Sequence, residues 1–200
     1  MKYETGKIYH IYNRGNNSQR IFFNRENYIF FLQKIRKYLL PVSDILAYCL
    51  MSNHFHLLIH MPDTHQLATS HPMGASSHWG KPIRDAIAII LRSYTQAINT
   101  KNKWTGSLFQ SRTKSKSTHE FDDSYAFTYF HYIHQSPAKS KLVKKMEDWE
   151  FSSYQDYSGK RNGSLCNKML ANELIEIPID FKQFISQSNA VELDGFNLNI

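Results

Sequence analysis

The sequence predicts an α+β fold, an antiparallel sheet with helices packed on one face, and three observations predict it. Segments of strand and helix character follow one another as strand, helix, paired strands, helix, strand, helix. Their apolar positions switch between alternation and a three-and-four spacing, the periods of strand and helix. With 200 residues, 42% of them hydrophobic and 20% charged, the chain is long enough for one sizeable core and too short for two full-sized domains.

The first strand is "KIYHIY", residues 7–12, β-branched and aromatic and closed by the turn-forming "NRGNN". From Asn24, "NRENYIFFLQKIRKYLL" sets Tyr28, Phe31, Leu32, Ile35 and Leu39 on one helical stripe that Pro41 ends. "DILAYCLM" and "HFHLLIH" are separated only by Ser52 and Asn53, so they pair as a tight antiparallel hairpin. Residues 61–82 are rich in Pro, Gly, Ser and His without periodicity, which predicts a mobile loop; the spacing of His65, His71 and His78 matches no zinc motif.

"PIRDAIAIILRSYTQAINTK" restores the helical period through Ile83, Ile87, Ile90, Leu91 and Tyr94, with Pro82 at its start. "KNKWTGSLFQSRTKSKS" is basic and polar, a turn leading into an edge strand. A third helix in "FDDSYAFTYFHYIHQSPAKSKLV" begins with acidic residues and is expected to stop near Pro137. Past Trp149 only a weaker helical stretch over 168–175 stands out. Residues 1–157 therefore read as the main domain and 158–200 as a C-terminal extension.

A net charge of +7 favours polyanionic partners, nucleic acid before an acidic lipid surface, because Lys and Arg that meet phosphates release condensed counterions. Two cysteines, Cys49 and Cys166, without a CxxC pair, fit a reduced intracellular compartment. No segment has the apolar length of a bilayer span and the first residues lack the run of a signal peptide. The expected location is cytoplasmic, with no membrane partner.

The chemistry concentrates in "SNHFHLLIH". Residues two apart on a strand share a face, so His54 and His56 project together while Phe55 points away, and adjacent imidazoles can hold one divalent ion. His60 continues that face but lies too far along the strand to share the ion. Arg14 and the group Arg112, Lys114 and Lys116 are candidates for phosphate contacts, with Trp104 and Phe109 as stacking partners for unpaired bases. Tyr125, Tyr129 and Tyr132 share the third helix, and periodicity does not choose among them.

Five segments, "YHIYNRG", "AYCLMSNHFHLLI", "GSLFQSRTKS", "YIHQSPAKSKLV" and "WEFSSY", occur in a fixed order. On them, from Lys7 to Tyr154, the chain resembles the REP-associated tyrosine transposases, relatives of the single-tyrosine insertion-sequence transposases of the HUH superfamily. The resemblance implies a ferredoxin-like sheet in which His54 and His56 hold a divalent metal, Mg²⁺ or Mn²⁺, against the scissile phosphate of single-stranded DNA. It implies Tyr132 of "YIHQSP" as nucleophile and a 5′-phosphotyrosine intermediate in DNA transposition, by nicking and rejoining beside hairpins.

Where the family pattern has an amide four residues beyond the tyrosine, this chain has Ser136, so Gln135, Ser136 or a water is the candidate third ligand. His10 and His131 are candidates for support behind the ligands. Single-stranded or hairpin DNA is the implied partner, and relatives that act as dimers or as monomers leave a homodimer open. Two rival readings stand beside this one. One is a hairpin-binding protein with impaired catalysis, motivated by Ser136; the other is an HUH replication initiator or relaxase, which "YIHQSP" and "GSLFQSR" disfavour.

Overall fold

The computed structural model describes residues 3–62, 80–118 and 124–193; the expected loop over 61–82 and the acidic residues Asp122 and Asp123 fall largely or wholly outside these ranges. Strands β1 (Ile8–Arg14), β2 (Asp44–Met51), β3 (His54–His60) and β4 (Lys114–Ser117) form one antiparallel sheet in the order β2-β3-β1-β4. Helix α1 (Arg25–Lys34) joins β1 to β2, and α2 (Gly80–Asn102) lies between β3 and β4. This is the ferredoxin-like βαββαβ order.

Local chemistry accounts for the boundaries. The Asn24 side chain caps α1 by accepting from the Asn27 N–H, and the helix widens into a π turn over Ile35–Leu39 before the chain reverses at Pro41. Ser52 and Asn53 make the two-residue hairpin turn, which sets Met51 opposite His54. A bulge between Ile45 and Ala47 shifts the register of β2.

Helices α1 and α2, with the π turn, cover the face carrying Tyr9, Ile11, Tyr48, Leu50, Phe55, Leu57 and Ile59. Helix α3 (Ser124–Lys139) covers the opposite face, with α4 (Tyr154–Tyr157), α5 (Lys168–Ile175) and α6 (Phe181–Ala190) completing that second layer around Ile8, Ala47, Cys49, Met51 and Leu58. Packing on one face thus describes α1 and α2 but not α3. The reason is written in β2, whose residues Ile45 to Met51 are all buried; a strand covered on both faces carries a continuous apolar run instead of an alternating one.

Helix α3 also runs through Pro137 to Lys139. The proline removes only one hydrogen bond, near the helix end, and the chain then closes with Leu142 donating to the Pro137 carbonyl at 3.0 Å and Lys141 at a φ of 57°.

The segment "WEFSSY" protects the open edge of β2. Leu50 donates to the Phe151 carbonyl at 2.9 Å and Ser153 donates to the Tyr48 carbonyl at 3.0 Å, so the segment pairs with the strand without joining the sheet. Phe151 stacks on Tyr28 at 3.8 Å, and Trp149 Nε1 donates to the Leu50 carbonyl at 3.0 Å. Arg161 locks this cover by donating to the buried Asp156 at 2.6 Å, to the Tyr48 hydroxyl at 2.8 Å and to the carbonyls of Glu150 and Ser152. Among the described residues no helix is long and apolar enough to cross a membrane.

Candidate active site

Alternation places His10, Tyr12 and Arg14 of β1 and His54 and His56 of β3 on the α3 face of the sheet. Their strands pair directly, with Tyr12 opposite His56 and Arg14 opposite His54. The His54 and His56 rings lie 4.9 Å apart, nearly perpendicular. Helix α3 supplies the roof: the Tyr132 ring meets His56 edge to face at 5.7 Å, and Tyr129 stacks on His10 at 4.6 Å. Of the three tyrosines on this helix, Tyr132 is the half-buried one against His56, whereas Tyr129 is buried.

Both histidines have their Nδ1 atoms engaged. His54 Nδ1 is 2.7 Å from Asn53 Oδ1, and His56 Nδ1 is 3.0 Å from His10 Nε2. Asn53, which the sequence marks only as a turn residue, therefore orients one histidine. His56 Nε2 is buried and has no hydrogen-bond partner among the described residues.

The electrostatics keep these rings neutral. Burial pushes His54 down to about 4, and the nearby Arg14 guanidinium acts in the same direction. His56 lies well below the ordinary histidine range through burial, with His10 and His54 adding to it, and burial brings His10 to about 3. A neutral imidazole is the form that ligates metal. Burial raises Tyr132 above the usual phenol value; the Ser136 side chain opposes the shift and Tyr12 adds to it.

The donor set suits a divalent ion. Two imidazoles whose second nitrogens are held by Asn53 and His10 match the way proteins orient metal-binding histidines, and an orphaned buried Nε2 is a donor in want of a partner. Among the described residues no group of three His, Cys, Asp or Glu side chains forms a complete cage, so oxygen donors from water or a bound phosphate would fill the remaining positions.

The candidate third ligands are occupied elsewhere. Gln135 is turned away from the histidines: its amide nitrogen donates to the carbonyls of Val191 at 2.9 Å and Ser188 at 3.4 Å, at the end of α6. Ser136 is buried and its hydroxyl donates to the Tyr132 carbonyl at 2.6 Å. His60 stays outside the cluster, with Nδ1 3.5 Å from the Asp44 carboxylate, and His131 lies 3.4 Å from the Ser188 hydroxyl on the other side of α3.

The basic candidates divide. Lys114 and Lys116 face the same way as Tyr12 and His10, which they oppose on β4, and Lys114 lies 5.5 Å above the Tyr12 ring. Arg14 meets the Ser18 hydroxyl beside His54, and Arg112 is exposed in the turn before β4. Trp104 instead sits on the α2 side, 48% exposed and edge to face with Phe23. It lines an open cleft of about 940 Å³ with Arg92, Asn99, Lys103 and Gln110. Phe109, expected as a stacking partner, is core: it packs among Phe31, Phe55 and Tyr94, so no base reaches it.

No family model matches the sequence, and no curated protein matches it. Among solved structures the fold is similar to that of a REP-associated tyrosine transposase bound to a REP hairpin, with a TM-score of 0.55 and 18% identity over 90% of this chain and 87% of the other. At that identity the likeness is one of fold, and it extends over nearly the whole length of both chains.

Proposed function

We propose that this protein is a metal-dependent single-strand DNA transesterase that nicks and rejoins DNA beside hairpins, with Tyr132 as nucleophile and His54 and His56 as metal ligands. The observation that carries the reading is the approach of the Tyr132 ring to His56, 5.7 Å away, whose buried Nε2 lacks a partner among the described residues. The REP hairpin bound by the structural neighbour supports hairpin DNA as the partner.

In the forward step the Tyr132 hydroxyl oxygen bonds to phosphorus and the bond from phosphorus to the 3′ oxygen breaks. The phenol proton leaves and the departing 3′ oxygen takes one up, so the products are a 5′-phosphotyrosine and a free 3′ hydroxyl. Reversal rejoins strands without ATP, since the linkage keeps the energy of the phosphodiester. A divalent cation at His54 and His56 would supply charge neutralisation at the phosphate and stabilise the phenolate. Burial raises Tyr132 above the usual phenol value, so the phenol has to give up its proton in the course of the attack. Arg14, Lys114 and Lys116 border the site and would hold the flanking backbone, while Trp104 would stack an unpaired base in the cleft by α2.

A specific observation favours a second reading. With Ser136 bonded to its own helix and Gln135 turned to α6, neither candidate third ligand is aimed at the histidines, and a hairpin binder that does not cut would fit. Labelled hairpin-tailed single strands incubated with Mn²⁺ separate the two. The proposal expects a covalent protein–DNA adduct that Tyr132→Phe abolishes while hairpin binding persists. An adduct unchanged in Tyr132→Phe contradicts the nucleophile, and salt-sensitive binding with no adduct across a varied target library establishes the second reading.

A further inference from the structure

We propose that His10 is the positioning residue that holds His56 with its proton on Nδ1, leaving Nε2 bare on the side where a metal would bind. The inference rests on the metal reading above and adds a residue to it. His10 and His56 are both fully buried, their rings lie 5.1 Å apart and nearly parallel, and His10 Nε2 is 3.0 Å from His56 Nδ1. Two neutral imidazoles at that distance share one proton between those nitrogens.

Only two arrangements are open to the pair. In the first, His56 Nδ1–H donates to His10 Nε2, and His10 carries its own proton on Nδ1. In the second, His10 donates, and the His56 proton must then sit on Nε2, which blocks that atom as a ligand. Each arrangement leaves one buried N–H without an acceptor among the described residues, on His10 Nδ1 or on His56 Nε2, so burial does not choose between them. The demand for a bare His56 Nε2 does.

His54 meets the same demand by a separate route. Its Nδ1 faces Asn53 Oδ1, and the Asn53 amide nitrogen is spent on the Ser18 carbonyl at 3.2 Å, so the oxygen is the acceptor and the His54 proton must lie on Nδ1. His54 thus presents a bare Nε2, and a second bare Nε2 on His56 requires His10 to accept. The acceptor is held in place: the His10 ring stacks on Tyr12 at 4.9 Å and on Tyr129 at 4.6 Å, one from its own strand and one from the helix that carries Tyr132. His10 therefore ties the orientation of a ligand on β3 to the helix that carries the nucleophile.

The test reads the proton directly. Long-range ¹⁵N–¹H correlation spectra of the full chain at pH 7.5 distinguish Nδ1–H from Nε2–H in each histidine, and Co²⁺ absorption titrations read affinity. We expect His56 as the Nδ1–H form, a Co²⁺ affinity about 10- to 100-fold weaker in His10→Phe, and recovery to within a few-fold of the parent in His10→Gln, whose amide oxygen can accept. Circular dichroism checks that both variants fold, and the spectrum of the parent decides the matter if either does not. A His56 proton on Nε2 in the parent overturns the inference, as does undiminished Co²⁺ affinity in a folded His10→Phe. A parent with His56 as Nδ1–H that binds no Co²⁺ leaves His10 its positioning role and removes the metal reading, so the two fail separately.

Discussion

The two faces of the sheet are made from the same strands and do opposite things. On the α1–α2 face, Phe55, Leu57 and Ile59 of β3 join Phe22, Phe31, Tyr94 and Phe109 in a dry aromatic and aliphatic core. On the α3 face, one residue out of step, the same strand presents His54 and His56 beneath Tyr132. The first face obtains stability from apolar burial; the second buries neutral imidazoles, which costs free energy unless each finds a partner. A face that carries such groups against that cost is where chemistry is to be sought.

If the division is real, damage to the two faces separates in unfolding and adduct assays. The largest loss of stability belongs to the dry face: Phe31→Ala, at a ring packed edge to face on Tyr94 at 5.1 Å, costs about 3–5 kcal/mol in urea unfolding. Adduct formation per folded molecule stays unchanged in that variant.

Next comes the cover on the β2 edge. Arg161→Ala strands the buried Asp156 carboxylate and costs about 3 kcal/mol, again read in urea, without altering the histidines.

The fold was largely legible because it rests on local signals. Alternation in "HFHLLIH", the two-residue turn at Ser52 and Asn53 and the helical stripes led to the observed order of elements and put His54 and His56 together. What escaped depends on tertiary contacts. Helix α6 is a short segment whose Phe184 finds its place against distant rings, those of Phe130, His134, Tyr154 and Tyr157. The direction of Gln135 is set by carbonyls more than fifty residues away, and Phe109 reads as an exposed aromatic in a polar stretch until α1, α2 and β3 close over it. Asn53 looked like a turn residue because it is one; its second task shows only in the hydrogen bond to His54.

The layer built around α3 should also be the acid-sensitive one. Burial holds His10 at about 3, His54 and His131 at about 4, and His134 well below the ordinary value. The unfolded chain takes up protons at these sites from about pH 6.5 downward and the folded chain does not, so stability is complete above that pH and falls as acid is added. Each deeply buried imidazole contributes up to about 1.4 kcal/mol per pH unit between 6.5 and its folded value. Urea midpoints at pH 7.5, 6 and 5 should decline steadily; a flat profile would remove the premise that these rings stay neutral.

The smallest effect on stability is expected at the exposed edge of the histidine-bearing face. Lys114→Gln and Lys116→Gln should each change unfolding by less than about 0.5 kcal/mol, yet lower the salt dependence of hairpin binding by about one unit of slope apiece. Unaltered salt slopes would place the DNA backbone on another surface.

The most direct measurement is the site of covalent attachment. After incubation with a hairpin-tailed strand and Mn²⁺, nuclease trimming and proteolysis leave a nucleotide-bearing peptide whose modified residue tandem mass spectrometry identifies. The two-face account predicts the added mass on Tyr132 alone. Mass on Tyr129, on Tyr12 or on any tyrosine of the dry face would contradict it.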